Sequence, residues 1–588
     1  MIYNQFYKSH NSNYLMFKEQ IISILAKETR LRKEELNNLI EIPPNPELGD
    51  YSFPCFILSK REKKAPNIIA EHFAKQIKPT KNIEKITSAG PYLNFFINKK
   101  ALAENILKIN SNFGKSNIGK KHKIVIDFSA PNIGKPMHIG HIRSTILGDS
   151  LMRIYDFLNY NPIGINYLGD TGLHIGKLII AYELWLDKKA IKKSPVEELL
   201  RLYVKFCEHE KSEVSEGADA DEEFTNNEWT NKAKEKLKLL ELGDKKTHEI
   251  WQEIHEASGK GFDKVYSLLN VNFTETTGQS KFSVKGKEIV MNALKKAIAK
   301  REEDGAVYVQ IDKNNPELKK YILRSNQTAS YITQDLGAAV ERNKKYKFDK
   351  MIYVTDFRQE GHFSALFNIL KTLGYDFSDK LFHLGFGTVK FGNEIIASRT
   401  GKIILLEDVL NKTIEKAKQE ITKRKTKGNP EKVGVGAIKY IILKNEPIKD
   451  VQFSWEQALS FEGNTGPYLQ YSYARASSII KKAKNKNFNK GKLNISKYNL
   501  AKEEIALIKK ISDFPEIVIQ AGDKMNPSLL ANYSHELAQV FNEFYHNCPV
   551  INADNKEQEA FRLKLVDAFR TTLKNALHLL GIEVMDEM

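Results

Sequence analysis

Cysteine is scarce. Among 588 residues it stands only at Cys55, Cys207 and Cys548, far apart and without a Cys-x-x-Cys pair, which excludes a disulfide framework and a cysteine-based zinc site. Such usage fits a reducing cytosol, and no structural metal is expected. Long apolar runs are missing as well. The opening stretch "MIYNQFYKSHNSNYLMFKEQ" lacks the basic start, apolar stretch and small-residue cleavage site of a signal peptide, so a soluble cytoplasmic protein with no membrane partner is expected. No internal repeat is visible. Acidic residues fall short of basic ones, 73 against 90, and the resulting +17 suits a polyanionic partner held by counterion release, although charge alone identifies none.

What is present is enough apolar residue, 41%, for several buried cores, and a length too great for one compact domain. Residues 1 to about 120 combine a helical pattern, "LMFKEQIISILAKE", with turn clusters beside short apolar-aromatic runs, "EIPPNPELGDYSF" and "ITSAGPYLNFFINKK", and read as a small α/β domain. From Lys123 the pattern alternates: "KIVIDF" and "PIGINYL" as strands, "RSTILGDSLMRIYDFL" and "HIGKLIIAYELW" as helices. That alternation predicts a doubly wound parallel sheet over residues 121–433, with ligands at the carboxyl ends of the strands. A charged stretch, about 187–262, reads as a helical insertion with a solvated loop, after which "GAVYVQI", "KMIYVTDF" and "KLFHLGFGTVKF" continue the alternation. The run 421–434, "ITKRKTKGNPEKVG", suggests a basic linker, and residues 434–588 a helical bundle.

The stretch "SAPNIGKPMHIGHIRSTILGD", Ser129 to Asp149, hands a strand over to a helix through a tight loop. Free backbone N–H groups and the helix dipole at such a start favour phosphate. Gly140 lets a flat purine lie against the backbone, His138 and His141 stand one turn apart and can reach the same triphosphate, and Lys135 adds a mobile charge. Those parts suit ATP held while a carboxylate attacks its α-phosphate, a displacement governed by positioning and charge stabilisation. The pattern H-x-G-H is short, and "HIGK" at His174 to Lys177 nearly repeats it. Pro131, Asn132, Lys135 and Pro136 give the first copy its strand-to-helix context, so His174 reads as structural.

The stretch resembles the first signature of class I aminoacyl-tRNA synthetases. Further stretches resemble the arginyl-tRNA synthetase family, in the family's order and over nearly the whole chain: "NYLGDTGLHIGKL", "SYITQDLGAAVER", "YVTDFRQEGHFSALF", "HLGFGTVKF", "FEGNTGPYLQYSYAR" and "LLGIEVMDEM". The resemblance implies a Rossmann-like class I catalytic domain between an N-terminal α/β domain that contacts the tRNA elbow and a helical anticodon-binding domain. It implies ATP, with Mg2+, L-arginine and tRNA(Arg) as substrates and partners of a monomer. Tyr331 and Asp335, four apart on one helix face, match the family's arginine-binding tyrosine and aspartate, and a guanidinium does want a planar carboxylate beside an aromatic face. Asn132, His141 and Gln359 match further arginine contacts, with His362 three residues beyond. Gly387 joins the ATP set, and Tyr545 and Met588 are anticodon-side candidates.

Two departures from the family pattern stand out. Where the family has a guanidinium-binding glutamate, the chain has Gln279, with Glu275 a few residues before it. In the second class I signature, "EIIASRTGK", Ile395 replaces the first lysine and leaves Arg399 and Lys402 as the nearby cations; Lys135 occupies the place from which some arginyl enzymes supply that charge. Two rivals remain open at this point. A small-molecule nucleotidyltransferase would not need the helical C-terminal region, and a catalytically dead RNA-binding relative would not need His138, Gly140, His141, Tyr331 and Asp335 together.

Overall fold

A computed structural model describes residues 16–212, 227–310, 319–391, 405–484 and 498–588. In the N-terminal part, β1 (Tyr51–Pro54), β2 (Ile83–Ala89) and β3 (Tyr92–Ile97) form an antiparallel sheet in the order β1-β3-β2. Phe53, Leu93 and Phe95 turn inward from it, with helices Met16–Thr29 and Pro66–Gln76 contributing Leu25 and Ala70 to the same core.

The central sheet has five parallel strands in the order β11-β10-β4-β5-β6: β4 (Lys123–Asp127), β5 (Asn161–Leu168), β6 (Glu275–Gly278), β10 (Lys350–Asp356) and β11 (Leu381–Phe386). Ile124, Val125 and Ile126 of β4 are all buried, as a strand covered on both faces requires. The chain runs outward from β4 through β5 to β6, then returns to β10 on the other side, so the strand order reverses beside β4. Ligands of open α/β sheets bind at such a reversal.

Between β5 and β6 lie the helices Leu173–Trp185, Ala190–Lys193, Pro195–Ser212, Glu228–Glu241 and Lys245–Leu269. The acidic loop read from the sequence falls largely on 213–226, outside the described residues. One expectation needs correction. "GAVYVQI" does not continue the parallel sheet: β8 (Val307–Gln310) sits between β7 (Ala299–Arg301) and β9 (Lys319–Leu323) in a separate antiparallel sheet. The turn at Asp304 and Gly305 folds β8 directly back onto β7, too short a connection for a parallel crossover.

The linker expected over 421–434 is also shorter than predicted. Ile421–Lys423 end one helix, Leu406–Lys423, while Asn429 accepts from the N–H groups of Glu431 and Lys432 and Pro430 opens the next, Pro430–Leu443. An Asn cap followed by Pro is a helix start, so about six residues remain as connection. Two short parallel strands, β12 (Val389–Phe391) and β13 (Val451–Phe453), tie this region to the central domain. Helices Gly466–Lys484, Lys502–Ser512, Phe514–Asp523, Ser528–Asn547 and Lys556–Leu579 follow. The seam of the C-terminal helices with the helix Gly140–Phe157 includes polar contacts: Lys439 of Pro430–Leu443, fully buried, lies 3.3 Å from Asp149, Arg153 lies 3.0 Å from the same carboxylate, and Ser150 Oγ donates to the Leu579 carbonyl. Among the described residues no helix is long and apolar enough to cross a membrane.

Candidate active site

The loop after β4 is bent by two consecutive non-glycine residues in the left-handed region, Ser129 (φ 74°) and Ala130 (φ 50°). Such backbone costs on the order of 1–3 kcal/mol per residue and persists only where neighbours fix it. Here the Ser129 N–H donates to Ser144 Oγ, the Ala130 N–H to Asn166 Oδ1, and Tyr266 OH joins Ser129 Oγ to Asn166 Nδ2. The bend carries Pro131 to Ile133 alongside the loop after β5, where Gly169 exchanges backbone hydrogen bonds with Pro131 and Ile133. A Cβ at Gly169 would come within 1.9 Å of Asn132 Oδ1, so only glycine leaves Asn132 its exposed place.

The helix Gly140–Phe157 then begins under two imidazoles. His138 and His141 lie with ring centroids 4.0 Å apart. The Gly140 N–H donates to His138 Nδ1, so the neutral His138 ring carries its proton on Nε2, the donor left for a ligand, while His141 Nδ1 stands 3.1 Å from the His138 backbone nitrogen and 3.2 Å from the His138 carbonyl oxygen. Burial pushes the His141 pKa down to about 3, with His138 adding to the shift; burial, then the charge of Lys135, lowers that of His138. Both rings are therefore neutral at pH 7. A side chain at Gly140 would strike the His138 ring.

Two segments on either side of residues 392–404 reach this place. Leu405 bridges His138, and the Leu406 N–H donates to the Met137 carbonyl. Upstream, Arg143, fully buried two residues past His141, donates to the carbonyls of Gly387, Glu446 and Lys449. Gly387 has no room for a Cβ, because Ile448 O and Asp450 Oδ1 stand within 2.8 Å of it. Arg399, with Ile395 and Lys402, lies outside the described residues.

Tyr331 opens the helix Tyr331–Tyr346, whose start is closed by Ser330 and Thr333. It is 48% exposed, and its hydroxyl stands against Gly172, in the same loop as Gly169. One turn on, Asp335 Oδ2 lies 2.6 Å from His362 Nε2. Beneath, Arg342 and Asp127 form a buried ion pair at 2.7 Å, the guanidinium over the Tyr167 ring. Gln359 is exposed just past the carboxyl end of β10, beside the start of the helix Glu360–Thr372. Gln279 follows β6, and its Oε1 is buried without a hydrogen-bond partner. Glu275, by contrast, starts that strand and is bound to Lys345 and Tyr346, so it cannot exchange places with Gln279.

One residue near the site escaped the sequence reading. Tyr203, on the insertion helix Pro195–Ser212, has Lys135 Nζ 4.4 Å from its ring centroid. His174, read as structural, stands beside Gly172 with its Nε2 buried without a partner, and burial with the nearby charge of Lys135 brings its pKa down to about 4. Tyr545 and Met588 lie away from these residues. Tyr545 is 38% exposed beneath the Arg475 guanidinium, and Met588 packs near Gly428. Among the described residues no group of His, Cys, Asp and Glu is arranged to hold a metal ion.

Comparison with known proteins bears on the whole chain. Residues 103–455 match the family of class I (R) tRNA synthetase catalytic domains, residues 469–588 the DALR anticodon-binding domain, and residues 16–97 the arginyl-tRNA synthetase N-terminal domain. The chain is 39% identical to an arginine–tRNA ligase of Clostridium beijerinckii over 585 residues, 97% of this chain and all of that one. It is 41% identical to the arginine–tRNA ligase of Halothermothrix orenii over 584 residues, with the same coverage. Arginyl-tRNA synthetase of Thermus thermophilus shares the fold with a TM-score of 0.80 at 24% identity, covering 98% of this chain and 100% of that one. The Plasmodium falciparum arginyl-tRNA synthetase gives 0.76 at 26% identity, covering 97% and 99%.

Proposed function

The chain belongs to the arginyl-tRNA synthetase family, and from that membership we propose how its own residues divide the work. The enzyme is an arginine–tRNA ligase. A carboxylate oxygen of arginine attacks the α-phosphorus of ATP, the bond to the bridging oxygen breaks, and pyrophosphate departs from arginyl-adenylate. The terminal ribose hydroxyl of tRNA then attacks the adenylate carbonyl, giving the ester and AMP.

Asn132 and Gln359 hold the amino and carboxylate end of arginine, while the Tyr331 ring and the Asp335 carboxylate take its guanidinium, with Gln279 offering one neutral acceptor. Gly140 and Gly387 let the nucleotide approach the backbone. His138 donates its Nε2–H to the phosphates and His141 presents its ring beside it, and because both are neutral they do not repel the ammonium of Lys135. Lys135 stabilises the charge that builds as pyrophosphate leaves, assisted by Arg399. Mg2+, which takes oxygen ligands, would be held by the ATP phosphates rather than by the imidazoles and ammonium of this loop, and would supply charge neutralisation there. The N-terminal part meets the tRNA elbow, and Tyr545 and Met588 serve the anticodon. A monomer working in the cytoplasm completes the reading.

One observation carries it: the loop after β5 touches Asn132 through Gly169 and Tyr331 through Gly172, so the nucleotide loop and the amino-acid helix meet across four residues. The test is arginine-dependent exchange of pyrophosphate into ATP, with and without tRNA(Arg), followed by charging. Charging with another amino acid, or none, would overturn the assignment.

A further inference from the structure

Lys135 is anchored at its backbone but not along its side chain. Gly134 (φ 77°) donates its N–H to Ser258 Oγ at 2.8 Å, and Pro136 fixes the other side. Beyond Cα, a flexible four-carbon stem carries a compact ammonium, and a charge that must meet a transient phosphate charge gains nothing if it wanders. A carboxylate partner would localise it but would also cancel its field. Among the described residues no ion pair holds Lys135; the Glu210 carboxylate on the helix of Tyr203 is taken by Lys177 at 2.6 Å and by Thr230 Oγ1 at 2.6 Å. What does face the ammonium is the ring of Tyr203 at 4.4 Å. An aromatic face attracts a cation through its quadrupole and leaves its net charge intact. Burial lowers the pKa of Lys135, as expected of an ammonium withdrawn from bulk water.

We propose that Tyr203 is the positioning residue for Lys135, holding the ammonium against an aromatic face so that it meets the departing pyrophosphate at full charge. The residue belongs to the segment between β5 and β6, so that segment supplies a wall of the site. The hydroxyl is incidental to this role and the ring essential.

The inference rests on the proposed role of Lys135, and single-turnover adenylate formation separates the two. Tyr203→Leu should slow adenylation about tenfold at saturating ATP and arginine while the KM for ATP moves less than about threefold, and Tyr203→Phe should restore the rate. Tyr203→Leu combined with Lys135→Ala should be no slower than Lys135→Ala alone. Phenylalanines of increasing fluorination at position 203 weaken the ring quadrupole at nearly constant volume, and the rate should fall with each added fluorine. This series remains informative if the leucine variant folds poorly. A rate indifferent to fluorination, or additive losses in the double variant, would overturn the inference. Lys135→Ala at the wild-type rate would remove the reading beneath it, whereas a slow Lys135→Ala beside an unimpaired Tyr203→Leu would overturn the role of Tyr203 alone.

Discussion

His362 Nε2 and Asp335 Oδ2 are 2.6 Å apart, joining the helix that begins with Tyr331 to the helix that follows Gln359. A carboxylate so held presents its other oxygen in a fixed direction, which is what a planar guanidinium requires. Asp335→Asn keeps the shape and removes the charge, and its loss should cost about 2 kcal/mol in arginine binding, or roughly thirtyfold in KM, with ATP little affected. His362→Ala should raise the arginine KM by less, and His362→Gln, which keeps a donor, should recover part of it. Exchange assays at varied arginine and ATP decide this; equal damage to both substrates would move Asp335 out of the arginine pocket.

Lys135→Ala should lower kcat for adenylate formation by about 100-fold, with a much smaller change in the KM for ATP, because its contribution arises mainly as the phosphate charge develops. Rapid-quench measurement of the first turnover reads this directly. A rate within a few-fold of wild type would shift the role to Arg399 or Lys402.

Buried neutral imidazoles make stability fall with acid. The unfolded chain takes up a proton on His141 near pH 6.5, whereas the folded chain does so only near 3, so between those values the unfolded state binds more protons and folding weakens as pH falls. His174, at about 4, acts in the same sense. Urea midpoints measured from pH 7 to 4.5 should therefore decline less steeply for His141→Asn than for wild type. Parallel curves would show that the ring is not held neutral.

Gln279 Oε1 is buried and unpaired, a place ready for a donor such as the guanidinium. Gln279→Glu adds charge opposite it and should tighten arginine binding about tenfold, read as a lower KM in exchange assays. No change would place Gln279 outside the arginine contact.

The fully buried Lys439 ammonium depends on Asp149. Asp149→Ala should destabilise the fold by about 3–5 kcal/mol by leaving that charge uncompensated, and adding Lys439→Met should recover much of the loss. Thermal unfolding of the single and double variants checks this; equal melting points would show the pair to be dispensable.

The parts of the fold that the sequence revealed are those set by burial on both faces: "KIVIDF" and "KMIYVTDF" read as short apolar strands, and they are β4 and β10. β6, "ETTG", was invisible, because its residues follow no apolar period and become a strand by pairing with β5. "GAVYVQI" misled because a short apolar run says nothing of its partner's direction. In the site, short spacing singled out His138 with His141, at the entry to one helix, and Tyr331 with Asp335 on another. Contacts across long separations left no such trace: Lys135 meets Tyr203 of the charged segment, read only as a helical insertion with a solvated loop, and Asp335 meets His362 of a different helix.

The seam at Ser150 and Leu579 sets an order of assembly. These partners are 429 positions apart, and Gly581 (φ 67°) brings the following turn so close to Lys439 and Asp149 that a side chain there would collide with both. During synthesis the helix bearing His141 emerges long before the residues that close over its far end. Until then Asp149 and its neighbours stay wet, and the nucleotide loop rests on a helix with an open side. The helix that starts beneath the two imidazoles is thus closed at its far end by residues 429 positions downstream, so a nascent chain stalled before Leu579 should hold its sheet while lacking the rigidity to activate arginine.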